Sequence, residues 1–289
     1  MDRDTLRARI CSRIDELPTL PVVVPRVLRL MDDEMTGAST VADVVSRDPA
    51  LTAKILKVAN SAYYGFAQRI GSLDQAVPLL GFRMVRSLAL SIGVIHALPS
   101  AHASGRDAQA GIWIHSLAVA TAMERIGTRL RTSGRRDHPF VLGLLHDVGR
   151  IVLSEYFPDL FEQTARLAAD SPETGLAQAE RAVIGVDHGE VGAMLLGRWR
   201  FPDSIRNVIE VHHHGDTSGA VDPMDLALLR VADAVTQQLG MGEGPAAGAP
   251  EIRTGDRETL ALGNADLDDV QSHLNGARQG IEDFFRRLE

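Results

Sequence analysis

The sequence predicts an all-α protein, and three observations carry that reading. Apolar residues recur at helical spacing along almost all of the 289 residues. Runs of β-branched residues with strict alternation are scarce. Helix-start signals stand where the periodic stretches begin. The expected architecture is an N-terminal helical bundle packed on a second helical bundle.

The first third reads as helices near 4–15, 21–33, 40–47, 49–61, 73–80 and 82–97. Asp48 before Pro49 sets a cap residue ahead of a proline at the first helical position, and Ser72 precedes Leu73–Leu80 in the same way. Residues 99–107, PSAHASGRD, are small and polar and mark a boundary between this part and a histidine-bearing middle. Further helices are expected near 108–130, 138–147, 150–156, 159–169, 173–184, 188–199, 203–212 and 224–239. Asp187-His188-Gly189-Glu190 reads as a capping box opening the run Val191–Trp199, with Gly185 as the stop before it. Residues 240–257 are rich in glycine, alanine and proline and read as a mobile loop. The last helix, near 266–288, is amphipathic through Leu267, Val270, Leu274, Ile281, Phe284, Phe285 and Leu288. The expected division is therefore 1–105 for the N-terminal bundle, 106–240 for the histidine-bearing bundle, and 241–289 for a flexible loop with a C-terminal helix.

Composition excludes several functions. The formal charge of −8 gives polyanions no general attraction, so nucleic-acid binding would need a local basic patch. The single cysteine, Cys11, rules out an intrachain disulfide and thiolate zinc sites, and suits a reducing, cytoplasmic setting. The N-terminus alternates charged with apolar residues, unlike a signal peptide. The longest apolar candidate, Leu88–Leu98, is broken by Ser91, Gly93 and His96, so no membrane span is expected. Arg47, Lys54, Lys57, Arg69, Arg83 and Arg86 could serve a helix-turn-helix DNA reader. Interleaved aspartates and the net charge favour instead a packed bundle, with Tyr63, Tyr64 and Phe66 filling a turn and the basic residues on a solvated face.

The chemistry lies in a distributed set: His115, His146-Asp147, His188, His212-His213-His214 and Asp233. One helix cannot surround an ion, so inward-facing imidazoles and carboxylates from several helices are the pattern an all-α metal site requires. A lone helical histidine is more often an ordinary core or surface residue, and His96, His102, His138 and His273 are read so. Neighbours on a continuous helix point roughly 100° apart. His146 and Asp147 therefore converge only if the helix ends nearby, and Gly149 is the expected breaker, as Gly215 is for the second pair. Asp147 has two oxygens and can bridge two ions. Imidazoles with carboxylates and no thiolate favour iron, manganese, cobalt, nickel or zinc, and a pair of such ions suits phosphate-ester hydrolysis. Trp113 and Trp199 read as core residues.

Asp48-Pro49-Ala50-Leu51, Asn60-Ser61-Ala62, Tyr64-Gly65, Ser72, Gly81, LLHDVGR, Glu180, HGEVGAMLLGRW, the paired histidines and Ala232-Asp233 together resemble the signature of HDOD domains, across about residues 15–240. The resemblance implies an all-helical fold, a role in bacterial signal transduction and a protein partner in such a pathway. Carried over from the wider HD pattern, it implies metal ligation by His115, His146, Asp147, His188, His212, His213 and Asp233, with His214 outside the ligand set. If the site is active, it implies catalytic roles for Asp147 and for Arg150, which stands where the pattern has lysine and can grip phosphate bidentately. The related hydrolases of cyclic di-GMP follow their paired histidines with a glycine-tyrosine-proline motif, whereas this chain has Gly215-Asp216-Thr217-Ser218-Gly219. Little or no cleavage of cyclic di-GMP is therefore expected. Two readings follow: a regulatory interaction module with a retained metal site, placed first, and a metal-dependent phosphohydrolase acting on a nucleotide or other phosphate ester. A metal site open to water, with room for a phosphate, would separate them.

Overall fold

The computed structural model describes residues 3–30, 38–61, 63–98, 106–130, 139–171, 175–214, 221–242 and 250–288. Among them every regular element is a helix. The chain divides into two compact units, residues 18–99 with 276–289 and residues 1–17 with 100–275.

The first unit holds α2 (Val23–Arg29), α3 (Ala38–Ser46), α4 (Pro49–Ala59), α5 (Leu73–Leu80) and α6 (Phe82–Ala97), with the end of a long last helix. Both expected caps form: the Asp48 carboxylate accepts from the Leu51 amide and the Ser72 hydroxyl from that of Gln75. Helices α5 and α6 meet at 114° across Gly81, whose φ of +83° suits glycine. Helix α6 is buried along most of its length, and a Cβ on Gly93 would lie 2.2 Å from a Val24 methyl, so glycine lets α2 approach. Asn60 fixes the loop after α4, donating to the Leu56 and Ile70 carbonyls and accepting from the Ile70 amide. Tyr64 and Phe66 stack beyond it, with Tyr63 edge-on to Tyr64 and Phe284. Arg86 departs from expectation. Instead of facing solvent it is 3 % exposed and donates to the Leu30 carbonyl that ends α2.

The second unit holds α1 (Arg3–Glu16), α7 (Arg106–Arg129), α8 (Pro139–Leu145), α9 (Val148–Tyr156), α10 (Pro158–Asp170), α11 (Leu176–Val183), α12 (His188–Arg198), α13 (Asp203–Val211), α14 (Pro223–Gln238) and α15 (Thr254–Thr259). It also takes the first part of α16 (Asn264–Leu288), so α16 runs from one unit into the other. Helix α1, expected with the N-terminal bundle, groups here because Leu6, Ile10 and Ile14 are buried and α1 packs on α12. The centre is α7, packed on α8 and α14, while α12 packs on α9 and α13. The capping box of α12 is present, Asp187 accepting from the Glu190 amide and Glu190 from that of Asp187.

Two expectations are corrected. The stretch read as a mobile loop over 240–257 is in part ordered: Met241 is buried, Gly242 packs on α7 with a φ of +94°, and 254–259 form α15. Residues 243–249 lie outside the described residues, as does the boundary stretch 99–105. Gly149 does not end a helix. The break falls at His146-Asp147, and Gly149 sits inside α9, where a Cβ would come 1.9 Å from the His188 carbonyl oxygen. Its small size, not its flexibility, is what α9 and α12 need. None of the described helices is long and apolar enough on its own to cross a membrane.

Candidate metal centre

The helix ends deliver the predicted residues to one place. His115 lies within α7, His146 and Asp147 at the α8–α9 break, His188 opens α12, His212 and His213 follow the end of α13, and Asp233 lies within α14. All are buried except His213, which is partly so. One atom each from Asp147, His188, His212 and His213 lies within 4.8 Å of the others, and the same holds for His115, His146 and Asp147. Asp147 belongs to both groups. Gly215, expected to break the second pair, lies outside the described residues; the break comes at His212 itself.

Backbone and carboxylate partners orient the rings. His146 Nδ1 donates to the Gly143 carbonyl at 2.7 Å, and His212 Nδ1 to the Ile209 carbonyl at 2.6 Å. Each Nε2 is thereby left with a lone pair, and both are buried with no hydrogen-bond partner. His146 Nε2 faces acceptors, Asp147 Oδ1 at 3.4 Å and Asp233 Oδ1 at 3.9 Å. Lone pairs crowded together repel, and a cation is what relieves them. His188 Nδ1 and its backbone amide both donate to Glu180 Oε2, while its Nε2 lies 3.2 Å from Asp147 Oδ1 and 2.9 Å from His213 Nε2. His115 Nε2 meets Asp233 Oδ1 at 3.0 Å, and Gln237 donates to the same oxygen.

Proton affinities follow from this packing. Burial, with His188 and His146 nearby, holds His212 down at about 3, and burial with His212 and His188 keeps His213 well below its ordinary value. Burial likewise lowers His146. These imidazoles are neutral, the state in which nitrogen ligates. Burial alone would raise Asp147, but His146, Arg150 and His188 hold it well below the carboxylate range. Burial would also depress His188, yet Glu180 and Asp147 lift it to about 10. His146, His212 and His213 as neutral imidazoles, with ionised carboxylates and no thiolate, fit a divalent transition metal, while His115 and His188, whose proton affinities are raised by the carboxylates beside them, would give up a proton to join it.

The cluster floors a cavity of about 540 Å³. Arg150 lines it, its Nη1 2.9 Å from Asp147 Oδ2. Arg198 is elsewhere: it donates to the Asp15 carbonyl and is absent from the lining. Sequence reasoning missed Arg181, Arg230 and Arg253, which do line the cavity, since nothing local distinguishes them from surface arginines. His214 stands outside the two groups, 3.3 Å from the Asp187 carboxylate that also pairs with Arg181. Trp113 and Trp199 are buried, as expected of core residues.

The order of these elements is that of a known family, and the HDOD domain model matches residues 17–215, more than half of the chain. The chain belongs to the HDOD family. The match stops before Arg230, Asp233 and Arg253, short of the 240 expected from the sequence. Among solved structures, an HDOD domain protein of unknown function from Geobacter sulfurreducens is similar at a TM-score of 0.76, with 27 % identity over 99 % of this chain and 98 % of that one. A protein from Marinobacter aquaeolei VT8, provisionally assigned to signal transduction, reaches a TM-score of 0.73 and 26 % identity over 94 % of this chain and 60 % of that one. An uncharacterized protein of Treponema pallidum (strain Nichols) is 28 % identical over 213 residues, 72 % of this chain. That match spans only 40 % of the Treponema protein's length.

Proposed function

We propose that this HDOD protein works in bacterial signal transduction as a divalent-metal protein whose pocket binds a phosphate ester, with hydrolysis of a phosphomonoester as its activity. One observation carries the reading: the buried, partnerless Nε2 lone pairs of His146 and His212 belong to a ligand cluster that floors a cavity of about 540 Å³, a volume within the range of small-molecule pockets. His115, His146 and Asp147 would hold one ion, His188, His212, His213 and Asp147 a second, with Asp233 beside the first. Iron, manganese, nickel, cobalt and zinc are the metals this donor set suits. When bound, such ions supply Lewis acidity and a water activated near neutral pH. Glu180 orients His188, Asp147 joins the two groups, and Arg150 stands beside Asp147 at the pocket wall, placed to take a phosphate oxygen.

We place this reading ahead of the interaction module, favoured by the sequence alone, because the cavity supports room for a phosphate at the cluster; a metal site open to water is the other half of the feature that would separate the two. Cyclic di-GMP remains an unfavoured substrate, although the segment 215–219 that argued against it lies outside the described residues.

The test begins with metal analysis of full-length protein purified without chelator, before and after incubation with manganese, iron, nickel or zinc. Wild type should hold metal, and the double variant His146→Ala, Asp147→Ala should lose most of it. The loaded protein should then release phosphate from mononucleotides or a generic phosphomonoester, with Asp147→Ala as the blank. Absence of metal under every loading condition defeats the proposal. Metal without turnover returns the interaction module to first place.

A further inference from the structure

We propose that Arg230 and Arg253 form an anion subsite on the wall of this pocket, so that its ligand is an organic bisphosphate, one phosphate at the cluster and the second at these arginines. The inference rests on the phosphate-pocket reading above and goes beyond it to the class of ligand.

The two guanidiniums converge on one atom. Arg230 Nη2 and Arg253 Nη1 both donate to the His214 carbonyl oxygen. Arg230 also serves the carbonyls at the end of α13, through Nε to His212 at 2.8 Å and Nη2 to Val211 at 3.3 Å. It is therefore the structural arginine, closing the α13 terminus that presents His212 and His213. Arg253 adds a single bond of 3.3 Å to a carbonyl Arg230 already serves, so its charge is redundant for holding the backbone. Two cations sharing one acceptor repel each other. The charges acting on Arg230 are those of Arg253 and Asp256, and Asp256 Oδ1, 3.7 Å from Arg230 Nη1, is the carboxylate that offsets them. Glu251 also lines this wall but is exposed, and it is not among the charges that act on Arg230 or Asp256. The carbonyls ending α13 add a partial negative charge, already engaged by Arg230. One positive charge of the pair is left over beside a cavity whose floor is the metal cluster. Arginine forks suit phosphate oxygens, and an anion there would relieve the repulsion.

The C-terminal position of this wall supports a role in specificity. Arg230, Arg253 and Asp256 all lie beyond the stretch 17–215 that the family shares, whereas most of the ligand cluster lies within it. The cluster would supply the common chemistry, and the later segment would select what it acts on.

The test compares adenosine 5′-monophosphate with adenosine 3′,5′-bisphosphate, which differ by one phosphate, on manganese-loaded full-length protein in equilibrium dialysis, with released phosphate followed in parallel. The bisphosphate should bind wild type roughly tenfold or more tightly than the monophosphate, the scale of one charge-assisted contact. Arg253→Gln should erase that difference while leaving monophosphate affinity and metal content unchanged, and Arg253→Lys should keep part of it. Equal binding of the two ligands to wild type overturns the subsite, as does an Arg253→Gln variant that weakens both alike. If the monophosphate and bisphosphate both fail to bind metal-loaded wild type, the phosphate-pocket reading itself falls, and the subsite with it.

Discussion

Gly149→Ala should disable the metal centre without touching a ligand. The added Cβ would lie 1.9 Å from the His188 carbonyl oxygen and 2.8 Å from the Gly192 amide nitrogen, both backbone atoms that no rotamer change can move. Restoring an ordinary separation of about 3.5 Å requires α9 and α12 to part by about 1.6 Å. Asp147 stands at the start of α9 and His188 at the start of α12, and their 3.2 Å contact spans the same seam. Overpacking a tight core commonly costs 1–3 kcal/mol, and a clash on backbone belongs at the upper end, about 3 kcal/mol. For a unit of this size that corresponds to a fall in melting temperature on the order of 10 °C. Metal content after desalting should fall as well, because the two groups of ligands would no longer share Asp147. The comparison variant is Gly276→Ala, a helical glycine in α16 with nothing within 4 Å of its added Cβ, which should be neutral or slightly stabilising. If Gly149→Ala melts with Gly276→Ala and retains the wild-type metal content, the close approach of α9 and α12 does not hold the site, and the reasoning fails.

Further outcomes are expected. A chelator should lower the melting temperature of metal-loaded protein, because ligands from six helices and their ends meet only in the folded chain; a melting curve unchanged after proven metal removal would contradict this. Burial pushes the Glu124 carboxyl from an ordinary 4.5 up to about 7. Between those values the folded state holds a proton that the unfolded state has released, so stability is greatest at the acid end and drains as pH rises, by at most about 3 kcal/mol. Glu124→Gln should flatten that slope in chemical denaturation between pH 5 and 8, and an identical slope in both proteins would refute the assignment. Duplex DNA should show no salt-sensitive binding at submicromolar protein, given a formal charge of −8; a steeply salt-dependent gel shift would overturn that expectation.

Local chemistry made most of the helices legible. Asp48, Ser72 and the Asp187-Glu190 box act within four residues of themselves, so sequence alone places them, and the structure shows each bond. What was misread depends on distant partners. Gly149 looks like a helix stop until α12, some forty residues later in the chain, is seen to press against it. Arg86 looks solvated until the end of α2, 56 residues earlier, requires a donor. Arg198 and Arg230 are indistinguishable as letters, yet one serves α1 and the other lines the cavity. Helix α15, TGDRET, is too short and polar to carry a period, and none of its residues is buried.

The two histidine pairs show why a ligand set was readable when its geometry was not. His146 and His212 each stand just past the end of a helix, and each donates Nδ1–H to the carbonyl three residues back, Gly143 and Ile209. That carbonyl is one the helix leaves unpaired at its C-terminus, so the break that lets neighbouring side chains converge also supplies the acceptor that fixes the ring. With Nδ1 committed, Nε2 can only present a lone pair. The same device at both breaks aims two neutral nitrogens into one buried space, and Asp147, beside the first, supplies the charge between the two groups. A sequence shows the letters His-Asp and His-His; the helix ends that turn them into oriented donors are set by how α8, α9 and α13 pack. Order along the chain and the family resemblance could therefore name the residues, while only the fold could tell which nitrogen of each faces the cluster.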